Sequence, residues 1–599
     1  MTWWPGSSRD DKTPAPQPAA YHKTFFGQPH QLATLFSVEM WERFSFYGLQ
    51  GILLIYLYYS ISDGGLGLDR VAATSIVGAY GGLVYLSTIL GAWLADRIMG
   101  AERTLFYAAA LVMCGHIALS AIPGILGVGV GLVLIAFGSG GVKANATSLV
   151  GTLYAADDPR RDAGFSIYFG INLGAFLGPL LTGLLQTDVG FHWGFGLAAV
   201  GMAIGLTVYA IGRKNLPESA HHIPNPLPAN RRGLVIGAAV LVIALIVVLA
   251  TTGVLSADRP ATIVVVVTII SAVIYFAVIL SSKKITPVEH RRVYSFIPMF
   301  VVSAVCWSLY QQQFTVITEY SDKQLNRNIF GWVMPVSWVQ SINPVFVMIL
   351  SLVFAWIWTK MGTRQPPTPI KFAAGVIVMG VAFLLFIPMA STVPNRAPLL
   401  GLVGVLFVFT VAELLISPVS LSLATKLAPE IFQTQMVALL FLSIALGTAM
   451  AGVLAEYYSD ENQVAYFGIL GGVAIMVGIV LVLFTPPIHP ADSQADERRP
   501  LTLDRPAGRR RVGWIACQQP IRASRSSISP TVSRPRPWKS PTSPSATAPR
   551  PRRAALSACT TSASSSPPVR SSTRPGAAAS PSSSRSAASS RAGRTASPG

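Results

Sequence analysis

The sequence predicts an all-α membrane protein built as two six-helix bundles, with a pair of extra spanning helices inserted between them and a disordered C-terminal tail. Three observations carry this. The chain has 599 residues, 51% hydrophobic and only 12% charged, where a soluble domain averages about 25% charged. Apolar runs of about 20 residues, each long enough to cross ~30 Å of hydrocarbon, recur from Leu32 to Phe484. Basic residues gather in alternate connections between these runs. The runs read as helices, because a backbone in lipid must satisfy its own hydrogen bonds.

The elements follow in order. Residues 1–31 are polar and Pro-rich, without the apolar core and cleavage site of a signal peptide. Six spans make the first bundle, 32–212, at about 32–58, 71–96, 104–122, 125–153, 164–186 and 193–212. Residues 213–292 are basic linkers around two very apolar helices, at about 233–253 and 261–281. The pair is apolar all round, so it is expected to face lipid beside the bundles. The second bundle, 293–488, has spans at about 293–318, 334–359, 371–390, 398–425, 432–457 and 465–485, which brings the total to about fourteen.

Lys and Arg mark one side: Arg97/Arg103, Arg160/Arg161, Arg213/Lys214, Lys283/Lys284, Lys360/Arg364/Lys371 and Lys426. The connections Tyr59–Asp69, Gln186–Phe191 and Tyr457–Gln463 on the other side are poor in them. This bias orients the chain with both termini in the cytoplasm of a multi-pass plasma-membrane protein. Lys323 and Arg327, in the connection Tyr320–Gly331, break the pattern.

The net charge of +19 belongs mostly to the tail. Residues 491–599 hold 19 Lys/Arg against 4 Asp/Glu, or +15, which leaves +4 for the rest. The tail, 489–599, is rich in Ser, Pro, Arg, Ala and Thr and too poor in apolar residues to bury a core. A solvated basic tail, an out-of-frame extension and a binder of anionic lipid or nucleic acid all fit that composition. The four cysteines show no metal spacing. No nucleophile–base pair or phosphate loop is visible, so an enzyme is not expected, and neither is a cofactor.

Charge inside the spans is the informative feature: Glu39, Glu42, Arg43, Lys143 and Glu413. A charge at the bilayer centre costs roughly 2.5–3.5 kcal/mol on insertion scales. Such residues persist where they pair, line a cavity or carry ions. On a helix Glu39 and Arg43 are i,i+4 and can pair, while Glu42 needs another partner. Two carboxylates beside one guanidinium leave one without a cation of its own, a candidate proton site. Lys143 follows a run of small residues, Gly138 to Gly141, and should point into a tight interior. A lone helical histidine such as His116 reads as a satisfied helix contact rather than a proton relay.

Glu39-x-x-Glu42-Arg43-Phe44 resembles the ExxERF signature of the proton-coupled oligopeptide transporters, a family of the major facilitator superfamily. Asp96-Arg97 and its neighbours resemble the superfamily's loop between spans two and three. Tyr168-Phe169-Gly170-Ile171-Asn172, Gly138–Asn145 and Glu413–Pro418 resemble family motifs of spans five, four and ten. The resemblance covers roughly residues 20–488 and implies proton-driven import of di- and tripeptides by alternating access. Its partners would be small peptides, protons and membrane lipid, with no nucleic acid. It implies proton coupling at Glu39, Glu42 and Arg43, and substrate binding by Arg43, Tyr47, Tyr85, Lys143, Asn172, Gln311, Asn343 and Glu413. It also implies a cross-bundle charge pair between Lys143 and Glu413 when no peptide is bound.

Phe46 replaces a usual tyrosine. Gln50 and Gln311 stand where many members carry an arginine and a glutamate that pair, and a neutral Gln–Gln hydrogen bond is the expected substitute. The alternatives are the same fold carrying nitrate or an amino-acid conjugate, or a non-transporting membrane sensor or scaffold.

Overall fold

The computed structural model describes residues 24–154, 167–235, 259–390 and 393–484, together with positions 237, 241 and 244. The first 23 residues, the Arg160/Arg161 connection, most of the first inserted span and the tail lie outside the described residues.

A short ribbon, β1 (Thr24–Phe25) and β2 (Gln28–Pro29), precedes α1 (Gln31–Tyr58). Then come α2 (Arg70–Leu94), α3 (Ala101–Ala121), α4 (Gly124–Thr152), α5 (Ile167–Asp188) and α6 (Phe191–Gly212). The linker carries a four-residue helix, α7 (Glu218–His221), and α8 (Pro260–Leu280). The second half holds α9 (Pro287–Tyr310), α10 (Val316–Lys323), α11 (Ile342–Met361), α12 (Thr368–Leu384), α13 (Leu399–Leu427), α14 (Gln433–Ala455) and α15 (Gln463–Phe484). Eleven helices among the described residues are long and apolar enough to cross a membrane. At 28 residues α1 is long enough as well, but its buried charges lower its hydropathy.

Local signals set the ends. Asp69 caps α2 by accepting the Val71 N–H at 2.9 Å. Thr286 and Glu289 form a capping box at the start of α9, with Pro287 in its first turn. Gly362, at φ +51°, ends α11 in a conformation that side chains avoid.

The seventh span departs from expectation. After Tyr310 a 3-10 turn, Gln311–Phe314, and an irregular Thr315 break the helix, and α10 carries it on to Lys323. The break is tolerable because it is buried in protein, where its freed Gln313 carbonyl finds donors. Gln340 Nε2 donates to the Gln313 carbonyl and, at 2.7 Å, to Thr318 Oγ1. A second ribbon, β3 (Asn328–Ile329) with β4 (Trp332–Val333), follows.

Buried apolar residues fall into two clusters. One runs from Leu32 to Ala220 and adds Phe314 and Val336; the other runs from Ala272 to Leu481. The halves meet where α2 crosses α14 and where α5 meets the start of α11. At the first crossing a Cβ on Gly78 would lie 2.5 Å from Gly452 Cα, so only glycine permits that approach. At the second, Ser337 Oγ donates to the Pro179 carbonyl at 2.9 Å, Trp338 Nε1 to that of Leu180 at 3.1 Å, and Ser341 Oγ to that of Phe176 at 2.8 Å. The inserted helix α8 lies against both α2 and α14. Ala261, Val265, Thr268 and Ala272 face inward, while Val266, Ile270, Val273 and Ile274 are exposed as a lipid-facing helix requires.

Charged groups seal the halves together on the Lys/Arg-poor side. Asp322 accepts the Tyr58 hydroxyl at 2.5 Å and the Tyr59 hydroxyl at 2.7 Å. Arg70 reaches Glu319 at 3.3 Å and the Ala455 and Glu456 carbonyls at 3.0 Å. The two cations that break the charge pattern belong to this seal. Lys323 pairs with Glu319 at 2.8 Å, and Arg327 with Asp322 at 3.3 Å.

Candidate binding and proton-coupling site

One face of α1 presents Glu39, Glu42, Arg43 and Tyr47 toward the interior. Glycine packing presses α4 onto α2: a Cβ on Gly140 would lie 2.0 Å from Ser87 Oγ. That approach carries Ser139 and Lys143, one helical turn apart, to α1. Glu42 is fully buried. It accepts the Ser139 hydroxyl on Oε1, with Lys143 Nζ 3.4 Å from the same oxygen. Arg43 Nε lies 3.3 Å from Glu42 Oε2, and its Nη2 reaches Glu39 Oε2 at 3.4 Å. Lys143 also stacks 4.3 Å from the centre of the Phe46 ring.

The first pole is thus two carboxylates and two cations. The expectation that one carboxylate would lack a cation is corrected: Lys143 supplies the second. The expected cross-bundle pair of Lys143 with Glu413 is corrected by the same contact. A buried amine takes the carboxylate within reach, and crossing to Glu413 would leave Glu39 and Glu42 to share Arg43 alone. His116 is fully buried, and neither ring nitrogen has a hydrogen-bond partner among the described residues. It lies within electrostatic range of Glu42, so it is not the satisfied helix contact that the sequence suggested.

The second pole sits in the other half. Tyr310, the last residue of α9, donates to Glu413 Oε2 on α13 at 3.0 Å. Asn343 Nδ2, on α11, donates to Thr410 Oγ1 at 3.0 Å and lies 3.4 Å from Glu413 Oε2. No cation lies within salt-bridge distance of Glu413 among the described residues. A cavity of about 10 Å³, room for one water, opens beside it, lined by Cys306, Trp307, Tyr310 and Ser417 among others.

Between the poles, the Tyr47 ring approaches Phe314 of the broken span, with centroids 6.1 Å apart. Tyr47 and Tyr85 both lie within electrostatic range of Arg43. Asn172 is buried on α5, close to where Gly174 packs on the Met40 carbonyl. Gln311 donates to Thr448 Oγ1 at 3.0 Å. Gln50 is buried, with Oε1 lacking a hydrogen-bond partner. The expected Gln–Gln bond is therefore absent, because the Thr448 hydroxyl on α14 satisfies Gln311 first.

Sequence reasoning missed Ser139, Tyr310 and Thr410 as members of the site. A hydroxyl one helical turn before Lys143 was the available signal for Ser139. Thr410 stands one helical turn before Glu413 on α13, which was the available signal for it, whereas Tyr310 is brought to Glu413 by tertiary packing alone.

This chain matches the PTR2 model, the POT family, over residues 102–470. It is 40% identical over 484 residues to the di-/tripeptide transporter of Lactococcus lactis subsp. cremoris, covering 78% of this chain and 97% of that one. A mutant of a peptide transporter POT in complex with alafosfalin superposes with a TM-score of 0.73 at 43% identity, covering 77% of this chain and 96% of the other. A POT family transporter in complex with 5-aminolevulinic acid gives 0.73 at 37% identity, covering 78% and 98%. With the fold, the charged face of α1 and these matches in agreement, the chain belongs to the POT family of major facilitator peptide transporters.

Proposed function

We propose that this protein is a proton-coupled symporter that imports di- and tripeptides across the plasma membrane by alternating access. The observation that carries the reading is the unequal pair of poles. A peptide is zwitterionic, so it needs a cation at one end and an anion at the other. Glu413, held by neutral donors and without a cation among the described residues, suits the peptide's amino group. Arg43 and Lys143 suit its carboxylate, with Tyr47, Tyr85, Asn172, Gln311 and Asn343 lining the space between.

Coupling follows from the charge count. When the peptide carboxylate approaches Arg43 and Lys143, it competes with Glu39 and Glu42 for the same cations. Protonating Glu42 frees Lys143 and Arg43 to take the substrate. Proton and peptide then favour each other, as linkage requires. The two cores are read as bodies 32–212 and 293–488 that rock about the site, with 213–292 as linker and inserted pair. With both termini read as cytoplasmic, the sealed face is external.

The transporter solved with 5-aminolevulinic acid supports a second reading, transport of other small amino acids with separated charges. Purified full-length protein in liposomes, with an imposed inward proton gradient and a panel of labelled di- and tripeptides, nitrate and 5-aminolevulinic acid, tests both. Gradient-dependent accumulation of dipeptides is expected. No flux of any peptide under that gradient would overturn the proposal.

A further inference from the structure

A second charged site lies away from the transport path, on the Lys/Arg-rich side. A cavity of about 370 Å³ opens between the start of α3 and the end of α6, lined by Glu102, Arg103, Phe106, Ala210, Arg213, Lys214 and His221. It is built by a folded linker. The Asn225 and Leu227 N–H groups donate to the Asp96 and Arg97 carbonyls at 3.0 and 2.8 Å. That clamp brings His221 of α7 over α3. Glu102 is buried and organises the floor: it pairs with Arg213, whose Nη2 reaches Oε2 at 3.0 Å, and His221 Nδ1 lies 3.3 Å from the same oxygen. The Arg213 guanidinium stacks 4.3 Å from the centre of the Phe106 ring.

The charges at this cavity do not balance. Arg103, Arg213 and Lys214 face a single carboxylate, a surplus of two with His221 neutral. Glu102 is committed to Arg213 and His221. Neither Arg103 nor Lys214 has a carboxylate within salt-bridge distance among the described residues. The cavity opens beside exposed apolar side chains, Tyr107 on α3 and Ile211 on α6. It therefore combines unpaired cations, a fixed guanidinium and an apolar wall at the membrane boundary.

We propose that this cavity binds a phosphate-bearing anion, and that the adjoining apolar face makes the headgroup of an anionic phospholipid its source. Arg213 is pre-oriented by Glu102 and Phe106 to present its outer N–H groups to phosphate oxygens. Arg103 and Lys214 supply the neutralising charge, and the acyl chains continue along Tyr107 and Ile211. Basic pockets between helices on this side of a membrane protein suit such headgroups.

Native mass spectrometry of the full chain in detergent, titrated with phosphatidylglycerol or phosphatidylcholine, tests the proposal. Phosphatidylglycerol should be retained saturably at concentrations where phosphatidylcholine is lost. Arg103→Ala with Lys214→Ala should weaken it about 30-fold, or about 2 kcal/mol for two charges near the headgroup. Arg231→Ala with Arg232→Ala removes the same charge from the nearby linker, outside the cavity, and should leave the affinity unchanged.

A competition arm separates the two sources. If millimolar inorganic phosphate displaces the lipid and alone raises Tm in wild type but not in the cavity variant, the site is one for free phosphate. If the lipid resists it, the headgroup is the ligand. Equal retention of the two lipids together with no phosphate effect would overturn the proposal. Equal losses in the two double variants would do the same, since the attraction would then be general surface charge. Arg103 and Lys214 are exposed, so both variants should fold. Should one fail, Arg103→Gln with Lys214→Gln keeps the side-chain length.

Discussion

The two halves solve the problem of a buried carboxylate in opposite ways. In the first half Glu39 and Glu42 are matched by Arg43 and Lys143. In the second half Glu413 is matched, among the described residues, only by the hydroxyl of Tyr310 and the amide of Asn343. The matched cluster is complete without substrate, and anything anionic that enters must compete for its cations. The unmatched carboxylate is incomplete, and a cationic group entering its cavity improves it. On the proposed function, this difference would place coupling in the first half and recognition of an amino group in the second. Each prediction below aims to break that division.

The largest effect is expected from Glu42→Gln. Glu42 is the residue that touches Arg43, Lys143 and Ser139 together. Without it gradient-driven uptake should be lost. Peptide counterflow should survive, because exchange needs no net proton movement. Removing one partner of a buried pair costs about 3–5 kcal/mol, so a lower Tm is expected as well. Full accumulation by this variant would end the assignment of coupling to the first half.

Next in size is Glu413→Gln. The amide keeps the shape and a hydrogen-bonding oxygen but loses the charge that faces the peptide amine. The KM for a dipeptide should rise about 10- to 100-fold, as for a lost charge-assisted hydrogen bond of about 1.5–3 kcal/mol. Wild type should discriminate strongly against N-acetylated dipeptides, and the variant should not. If the variant still discriminates, the amine is received elsewhere.

The neutral hydroxyls sharpen the comparison further. Ser139→Ala and Tyr310→Phe each delete one hydroxyl donor to a carboxylate, worth roughly tenfold in either case. The division predicts different readouts. Ser139→Ala should displace the pH profile of uptake with little change in peptide KM at saturating proton. Tyr310→Phe should raise KM and leave the pH profile in place. Transport assays across a pH series would reveal an exchange of these two outcomes, which would reverse the division.

Much of this was legible in the sequence, and the reasons differ by element. The helices were readable because hydrocarbon thickness fixes their length: α3, α4 and α13 begin and end within a few residues of their expected bounds. The break after Tyr310 was not readable, because its freed carbonyl is satisfied by Gln340, far along the chain. The pairing of Glu39 with Arg43 followed from helical spacing. The partner of Glu42 did not, because it depends on how closely α4 approaches α1, which glycine packing decides in three dimensions. Lys323 and Arg327 looked like violations of the charge rule until their carboxylates, Glu319 and Asp322, were placed beside them.

The smallest effect is expected where both halves are neutral. Gln50 and Gln311 occupy positions that carry a charged pair in many members of the family. Here Gln311 makes a single neutral bond to Thr448 at 3.0 Å. Such a bond contributes about 0.5–1.5 kcal/mol, and an amide does not exchange protons over the physiological range. Gln311→Ala should therefore slow uptake by no more than several-fold and leave its pH profile where wild type has it. Gln311→Glu behaves differently, because it places a carboxylate beside a neutral Gln50 in a dry interior. It should lower Tm, and Gln50→Arg in the same chain should restore it, since breaking or completing a buried pair shifts stability by several kcal/mol. Uptake assays and thermal unfolding on the three variants decide the matter. A displaced pH profile in Gln311→Ala would mean that this neutral position takes part in coupling, and that the proton site of α1 does not act alone.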